Sequence, residues 1–129
     1  MKDFGIRRTV DLGWEAAVEK VRTTLAAEGF GVLSEIPIHE KLKEKLGVDF
    51  PPYLILGACN PPLAHKALEA NPEIGLLLPC NVVVYEKDGK TVVSAIDPDT
   101  MVAVAGDSPV MREVAADARA RLERAIAAV

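Results

Sequence analysis

The stretch LLLPCNVVVYEKDGKTVVSAI, residues 76–96, indicates the β-hairpin around which this fold is organised. An Asp-Gly pair separates two runs of β-branched residues, and such pairs readily adopt the positive φ angles of a two-residue hairpin turn. The spacing predicts one strand from residue 76 to about residue 86 and its antiparallel partner over residues 91–96. Pro79 lacks an amide donor, so we expect it at an edge, a bulge or a bend of the first strand.

Upstream of the hairpin, the sequence predicts strands and helices in alternation. Helical spacing of apolar residues and capping residues mark the helices, whereas short apolar or alternating runs mark the strands. The predicted strands lie at residues 4–10, 30–36 and 53–59, and the predicted helices begin after Asp11, at Ile38 and after Asn60. Asp11 and Asn60 are interpreted as caps that accept hydrogen bonds from free helix amides.

Downstream of the hairpin, residues 99–106 fit either a short helix or an apolar loop. Ser108-Pro109 opens the longest predicted helix, in which apolar residues form one stripe. The order β-α-β-α-β-α-β-β-α favours an α+β domain with helices packed on one face of a largely antiparallel sheet. No internal repeat or linker interrupts the pattern, so we predict a single domain over residues 1–129.

The charge balance and hydropathy of the chain argue against several classes of protein. Its 19 acidic and 15 basic side chains give a formal net charge of -4, without the basic clusters that bind a phosphate backbone. Uncharged stretches reach about ten residues, half of a membrane span, and the charged start does not resemble a secretory signal. The sequence therefore predicts a cytoplasmic protein that binds neither nucleic acid nor membrane. The absence of Gln resembles thermophile composition.

Two Cys-Asn pairs, 21 residues apart, carry the candidate chemistry of the chain: Cys59-Asn60 and Cys80-Asn81. Cys59 stands immediately before a predicted helix start, where free amides and the helix dipole would stabilise a thiolate. Cys80 falls inside a predicted strand, where burial disfavours a thiolate. We therefore expect Cys59 to be the more reactive thiol, and we expect a small polar or anionic ligand to bind among these four residues.

Other interpretations of these residues stay open. Free cysteines are often buried packing residues, and Asn60 is more simply a structural cap than a ligand contact. Asn81 lies in an apolar strand, so its side-chain amide either forms hydrogen bonds with neighbouring backbone or points into a site. A disulfide between the thiols is allowed in a thermophile. His65 would complete a three-ligand zinc site, but the adjacent Lys66 and nearby Glu69 favour solvent exposure, and no metal site is predicted.

Four segments carry a resemblance to a known family: GACNP at residues 57–61, LLLPCNVVVY at residues 76–85, GFGVL at residues 29–33 and LGVDF at residues 46–50. Together they resemble the bacterial family catalogued as domain of unknown function 302, and the resemblance extends over nearly the whole chain. It implies a compact α+β fold of the TATA-binding-protein-like class, often found as a homodimer. It implies no established enzyme activity.

The family motif is matched in this chain by Cys59, Asn60, Pro61, Pro79 and Cys80. At position 81 the family commonly has a basic residue, whereas this chain has Asn81. The resemblance therefore assigns no role to Asn81.

The functional hypothesis is a small soluble homodimeric domain that binds a ligand around Cys59 to Asn81, with the ligand and any cofactor unidentified. The apolar run at residues 101–105 supports a homodimer, because such a run is unfavourable in water. The alternative is a thiol-dependent redox or metal-binding protein that uses Cys59 and Cys80. Nucleic-acid binding through an open sheet is a third possibility, which rests on fold analogy and is opposed by the negative charge.

Overall fold

The computed structural model describes residues 3–129, in which strands and helices follow the predicted alternation. The strands are β1 (Gly5–Val10), β2 (Gly31–Pro37), β3 (Tyr53–Cys59), β4 (Cys80–Lys87) and β5 (Lys90–Ile96). The α-helices are α1 (Trp14–Ala27), α2 (Ile38–Leu46), α3 (Pro61–Ala70), α4 (Asp99–Ala105) and α5 (Pro109–Ala127). A 3₁₀ helix, Pro72–Leu77, follows α3.

The strands form one antiparallel sheet in the order β1-β5-β4-β3-β2. β4 and β5 form the hairpin, and Asp88 and Gly89 make its turn with φ angles of 53° and 75°. β4 also pairs with β3, so the hairpin and β3 occupy the middle of the sheet. The predicted hairpin and the predicted α+β class are confirmed.

The main core lies between one face of the sheet and helices α1 and α5. Its fully buried large side chains are Val21, Leu25, Leu56, Val82, Val84, Val93 and Leu122. A second, smaller core packs α3, the 3₁₀ helix, α4 and α5 together around Leu63, Ala67, Ile74, Met101, Met111, Val114 and Ala118. Since α3 follows β3 and the 3₁₀ helix leads into β4, this second core supports the segment from Cys59 to Asn81.

The strand that the sequence predicts from residue 76 begins later, at Cys80. The Asn71 side chain accepts a hydrogen bond at 3.0 Å from a main-chain amide of the next turn, and Pro72 supplies a helical φ angle. These two residues start a 3₁₀ helix where the apolar run by itself favours a strand. Pro79 lies just before the first ladder pair of β4, in agreement with its predicted place at a bend.

Asp11 does not cap α1, so that prediction is wrong. The cap position is Gly13, which has no side chain to accept a hydrogen bond, and α1 begins at Trp14. The indole of Trp14 fixes this end of the helix instead, because its Nε1 donates to the Val84 carbonyl at 2.8 Å. The start of α1 is therefore determined by a contact with β4.

Residues 99–105 form the helix α4, and the alternative of a loop is excluded. Met101 is buried in the second core, and Val102 and Ala105 pack against it, whereas Val104 is 66% exposed. Most of this apolar run thus packs inside the protein. The expectation that this run needs a dimer partner to be shielded from water is therefore wrong.

The face of the sheet opposite the main core carries apolar side chains that stay partly exposed. Ile36, Ile55 and Val83 lie opposite one another across β2, β3 and β4. Tyr53 lies opposite Tyr85, and the two rings stack with their centroids 5.3 Å apart. Antiparallel sheets that face water usually carry polar side chains there. We call these five residues the open apolar face.

Within residues 3–129, no helix is long and apolar enough to cross a membrane. The charged start that argues against a secretory signal begins with Met1 and Lys2, which lie outside the described residues. The predicted cellular location therefore rests on the sequence.

Candidate functional site

The two Cys-Asn pairs meet at the ends of neighbouring strands. Cys59 ends β3 and Cys80 begins β4, and the register places Ala58 directly opposite Cys80. Both cysteines are free thiols; Cys80 is 7% exposed, and Cys59 is half-buried. Two residues that are 21 positions apart in the sequence are thus diagonal neighbours in the sheet.

Both thiols line a narrow inner crevice with a volume of about 20 Å³. Its other walls come from the sheet, α3, α4 and α5 and are mainly apolar; they include Phe30, Leu63 and Met101. A space of this size holds one water-sized group, and an apolar cavity stays dry. The inner crevice by itself is therefore too small and too apolar for a polar or anionic ligand.

Within the described chain, the first turn of α3 offers no free amide to a thiolate or an anion. Pro61 and Pro62 carry no amide hydrogen. The next two amides, those of Leu63 and Ala64, donate to the side-chain and main-chain oxygens of Asn60 at 3.3 and 2.9 Å. The donors on which the expected activation of Cys59 depends are therefore absent or already used.

Asn60 is a structural cap that also joins two helices. It is 8% exposed, and its side-chain oxygen accepts the amide hydrogen bond at the start of α3. Its Nδ2 donates to the carbonyl of Glu28, the residue that ends α1, at 3.5 Å. The interpretation of Asn60 as a cap is confirmed.

We expect Asn60→Ala to lower the free energy of unfolding by about 1–2 kcal/mol, because it removes the cap of α3 and one donor to the Glu28 carbonyl. Urea denaturation followed by Trp14 fluorescence measures the change. The matched control is Asn71→Ala, which removes the cap of the 3₁₀ helix and is expected to cost about half as much. Equal losses would show that the link from Asn60 to α1 contributes nothing.

Burial, together with the smaller effect of the neighbouring Cys59, raises the pKa of the Cys80 thiol to about 11. Cys80 is therefore a neutral thiol at physiological pH. Because the thiolate is the reactive form, the side chain is a poor nucleophile in the folded protein. This agrees with the expectation for a cysteine inside a strand.

The buried Cys80 thiol should make the protein less stable at alkaline pH. Its pKa of about 11 lies above the ordinary 9.0, so its stabilising contribution is complete below pH 9.0 and is lost as pH rises through about 11. We expect the free energy of unfolding to fall by up to about 1.4 kcal/mol per pH unit in this window. Denaturant titrations below and within the window measure the slope. Cys80→Ala is expected to flatten it, and an unchanged slope would assign the effect to another group.

A larger outer crevice, of about 240 Å³, opens beside the first residues of β4. Its walls come from the 3₁₀ helix, the end of β5 and the first turn of α4. Asn81 and Thr100 contribute hydrogen-bonding side chains, together with the Cys80 thiol. Asn81 is exposed, so its amide is available to a ligand.

The four candidate residues divide between the two crevices. Cys59 and Asn60 line the inner crevice, Asn81 lines the outer crevice, and Cys80 lines both. The fold therefore brings the segment together around a pair of cavities. Only Cys80 and Asn81 reach the larger one.

Comparison with known proteins assigns the chain to a family. The family model for Domain of unknown function DUF302 matches residues 6–129. The chain belongs to the DUF302 family. The crystal structure of an uncharacterized conserved DUF302 protein from Bacillus stearothermophilus is similar, with 37% sequence identity, a TM-score of 0.89 and 98% of each chain covered. No curated protein matches the chain.

In this DUF302 protein, Arg119 on α5 holds one wall of the outer crevice. Its guanidinium pairs with Asp97 and lies 3.3 Å from Oδ2 of Asp99, and its Nε donates to Glu123 at 2.7 Å. These contacts fix the start of α4. The sequence indicates turn and cap roles for the two aspartates. No local pattern predicts their pairing with Arg119, which lies 22 residues from Asp97 and 20 from Asp99.

Thr100 and Met101 also belong to the candidate site in this DUF302 protein, and the sequence gives no sign of it. Both line the outer crevice, and Met101 also lines the inner one. The sequence shows them only as part of a capped or apolar segment after the hairpin. Their place in the site follows from the packing of α4 against α5 and the 3₁₀ helix.

His65 does not join the thiols of this DUF302 protein. Its Nε2 lies 2.7 Å from Oε1 of Glu69, one turn further along α3, and both side chains are exposed. The predicted solvent exposure of His65 is confirmed. Across residues 3–129, no group of three or more His, Cys, Asp or Glu side chains is placed to hold a metal ion.

Proposed function

We propose that this DUF302 protein binds a small neutral molecule in the outer crevice. The observation that carries the proposal is a cavity of about 240 Å³ with mainly apolar walls and two hydrogen-bonding side chains, Asn81 and Thr100. Small-molecule sites usually combine apolar walls with a few placed polar groups. Among the described residues, no charged side chain lines this crevice, which favours a neutral ligand over an anion.

Titration with hexanamide tests this site, because the probe combines an apolar tail with an uncharged amide. We expect saturable NMR shift changes at Cys80, Asn81 and Thr100. Thr100→Trp places an indole in the crevice and should weaken binding about tenfold or more, whereas Thr23→Trp, on the exposed side of α1, should not. Shifts that do not saturate, or that map elsewhere, would overturn the proposal.

We also propose that the protein is a homodimer joined through the open apolar face. Ile36 is 41% exposed. It begins a row of apolar side chains that crosses β2, β3 and β4, and the row continues on β5 and β1 with the polar residues Ser94 and Arg7. An apolar centre with polar residues at its rim is usual for protein interfaces. A second sheet packed face to face, about 10 Å away, would cover the apolar centre.

Sedimentation at micromolar concentration tests the homodimer. We expect a dimer for the wild type and a monomer for Ile36→Glu, because the variant would bury a charge in the interface. The control is Leu46→Glu, which adds the same charge at the exposed end of α2, outside the open apolar face. A monomeric wild type, or dissociation of both variants, would contradict the assignment of this face.

A thiol-dependent function is the second candidate, and the shared inner crevice of Cys59 and Cys80 favours it. Oxidation by diamide would join the two sulfurs and transfer two electrons and two protons to the reagent. If diamide treatment protects both thiols from a later alkylating reagent, the result would support a redox pair. The protection of the remaining thiol should then be lost in Cys59→Ser and in Cys80→Ser. Protection by zinc would support metal binding, and slow labelling unaffected by either reagent would leave both cysteines as packing residues.

We expect no measurable affinity for duplex DNA at physiological salt. The chain has a formal net charge of -4, and Arg7 beside the open apolar face is paired with Asp3 at 2.9 Å. Fluorescence anisotropy with a labelled duplex measures the affinity. Tight binding, or binding that does not weaken as salt rises, would contradict this expectation.

A further inference from the structure

The inner and outer crevices share three lining residues. Leu78, Cys80 and Met101 line both cavities, so each of these side chains has one surface toward the outer crevice and one toward the inner crevice. Leu78 is only half-buried, and Met101 has an unbranched thioether chain that repacks easily. Leu78 and Met101 are therefore the side chains that would have to shift for a ligand to reach from one space into the other.

We propose that the ligand is a neutral amphiphile whose aliphatic end passes between Leu78 and Met101 into the inner crevice. This inference rests on the proposed function of the outer crevice. The polar head of the ligand lies in the outer crevice, where Asn81 and Thr100 are the hydrogen-bonding side chains. The terminal carbons of its tail contact the apolar wall that includes Leu63.

The chemistry of the two crevices favours this orientation over the reverse one. The inner crevice, of about 20 Å³, accommodates one small group, and its apolar walls favour a hydrocarbon end over water. A polar head placed there would lose its hydrogen bonds to water. The Asn60 oxygen would not replace them, because it already accepts the Leu63 amide. In the outer crevice the exposed Asn81 amide both donates and accepts.

The length of the aliphatic chain is the quantity that the two crevices select. Burying one methylene contributes about 0.8 kcal/mol, which is about a fourfold change in affinity per carbon. Affinity should therefore rise about fourfold per methylene along a series of primary amides until the inner crevice is full. A ligand confined to the outer crevice would gain less from its last carbons, because they would stay in contact with water.

Ala64 provides the test of chain entry, since it is half-buried on α3 and lines the inner crevice but not the outer one. Ala64→Leu places a larger side chain in the wall of the inner crevice. The matched control is Ala70→Leu, which makes the same change at an exposed position of the same helix. Affinities for butanamide, hexanamide and octanamide are measured by isothermal titration calorimetry on the full chain.

In the wild type and in Ala70→Leu, we expect affinity to rise from butanamide to octanamide. In Ala64→Leu, we expect unchanged butanamide binding and a loss of about fourfold for octanamide, because the inner crevice holds about one methylene-sized group. If Ala64→Leu does not fold, Ala64→Val replaces it, and intermolecular NOEs from the octanamide methyl group to Leu63 and Val114 report entry in the wild type directly.

Each outcome separates this inference from the proposed function. Equal octanamide affinity in Ala64→Leu and the wild type, or no NOE to the inner wall, would overturn chain entry while leaving the outer site intact. Binding of none of the amides at Asn81 would overturn both the outer site and the inference built on it.

Discussion

Replacing Leu56 with alanine is expected to lower the free energy of unfolding by about 2–5 kcal/mol. Leu56 is 0% exposed and packs in the main core from the middle of β3, directly opposite Val82. The truncation removes apolar contacts and leaves a cavity that the surrounding helices only partly fill. Urea denaturation followed by Trp14 fluorescence measures the loss.

Leu33→Ala is the matched control for the Leu56 substitution. Leu33 is 70% exposed on the neighbouring strand β2, so the same change there should alter stability by no more than about 0.5 kcal/mol. A comparable loss in both variants would show that burial between the sheet and the two long helices is not what stabilises β3.

Replacing Gly57 with alanine is expected to cost about 3 kcal/mol, at the upper end of the range for overpacked sites. A Cβ at this position would overlap Oγ of Ser34 and lie 2.7 Å from Cγ of Pro79. The serine hydroxyl can rotate away, but the proline ring is closed onto the main-chain nitrogen, so its Cγ can move only by a change of ring pucker unless the backbone shifts. Because Pro79 borders the outer crevice, the substitution should also weaken the binding of hexanamide.

Gly31→Ala is the control for the effect of Gly57, because a Cβ added at Gly31, on β2, meets no atom within 4 Å. We expect its stability to remain within about 0.5 kcal/mol of the wild type. Denaturant titration and hexanamide binding are measured on both variants. A small loss of stability in Gly57→Ala would mean that Pro79 shifts easily. A comparable loss of stability in Gly31→Ala would mean that replacing any strand glycine with alanine destabilises the sheet.

The candidate site shows how far local patterns reach. The Cys59-Asn60 pair is recognisable because a helix cap depends on neighbouring residues, and Asn60 does accept the Leu63 amide. The amide donors expected beside Cys59 are missing for an equally local reason, since Pro61 and Pro62 supply no amide hydrogen. A proline favours a helix start and also lacks an amide hydrogen, and the expectation for Cys59 takes no account of the second property.

The outer crevice could not be predicted from the sequence. Its walls come from the 3₁₀ helix, the end of β5 and the first turn of α4, which are brought together by the packing of the second core. Arg119 stabilises that arrangement through Asp97, 22 residues away. The single-domain organisation, the homodimer and the ligand stay predictions.

The sequence by itself determined the hairpin, the cap of α3 and the cap of α5. Each of these depends on residues close together in the chain: the Asp88-Gly89 turn, or the Ser108 side chain that accepts the Met111 amide at 3.2 Å. Backbone preference and short-range hydrogen bonds act on these residues in any context that allows the element to form.

The tertiary structure decided where α1 begins, where β4 begins and which surfaces enclose a cavity. Trp14 positions the start of α1 by its hydrogen bond to the Val84 carbonyl, 70 residues away. Met101 packs into the second core, whereas the apolar composition of residues 101–105 by itself favours a dimer interface. The burial of a side chain depends on elements from the whole chain that pack against it, whereas a turn or cap depends on a few neighbours. That difference is why the secondary structure was largely predictable and the division of Cys59, Cys80 and Asn81 between two crevices was not.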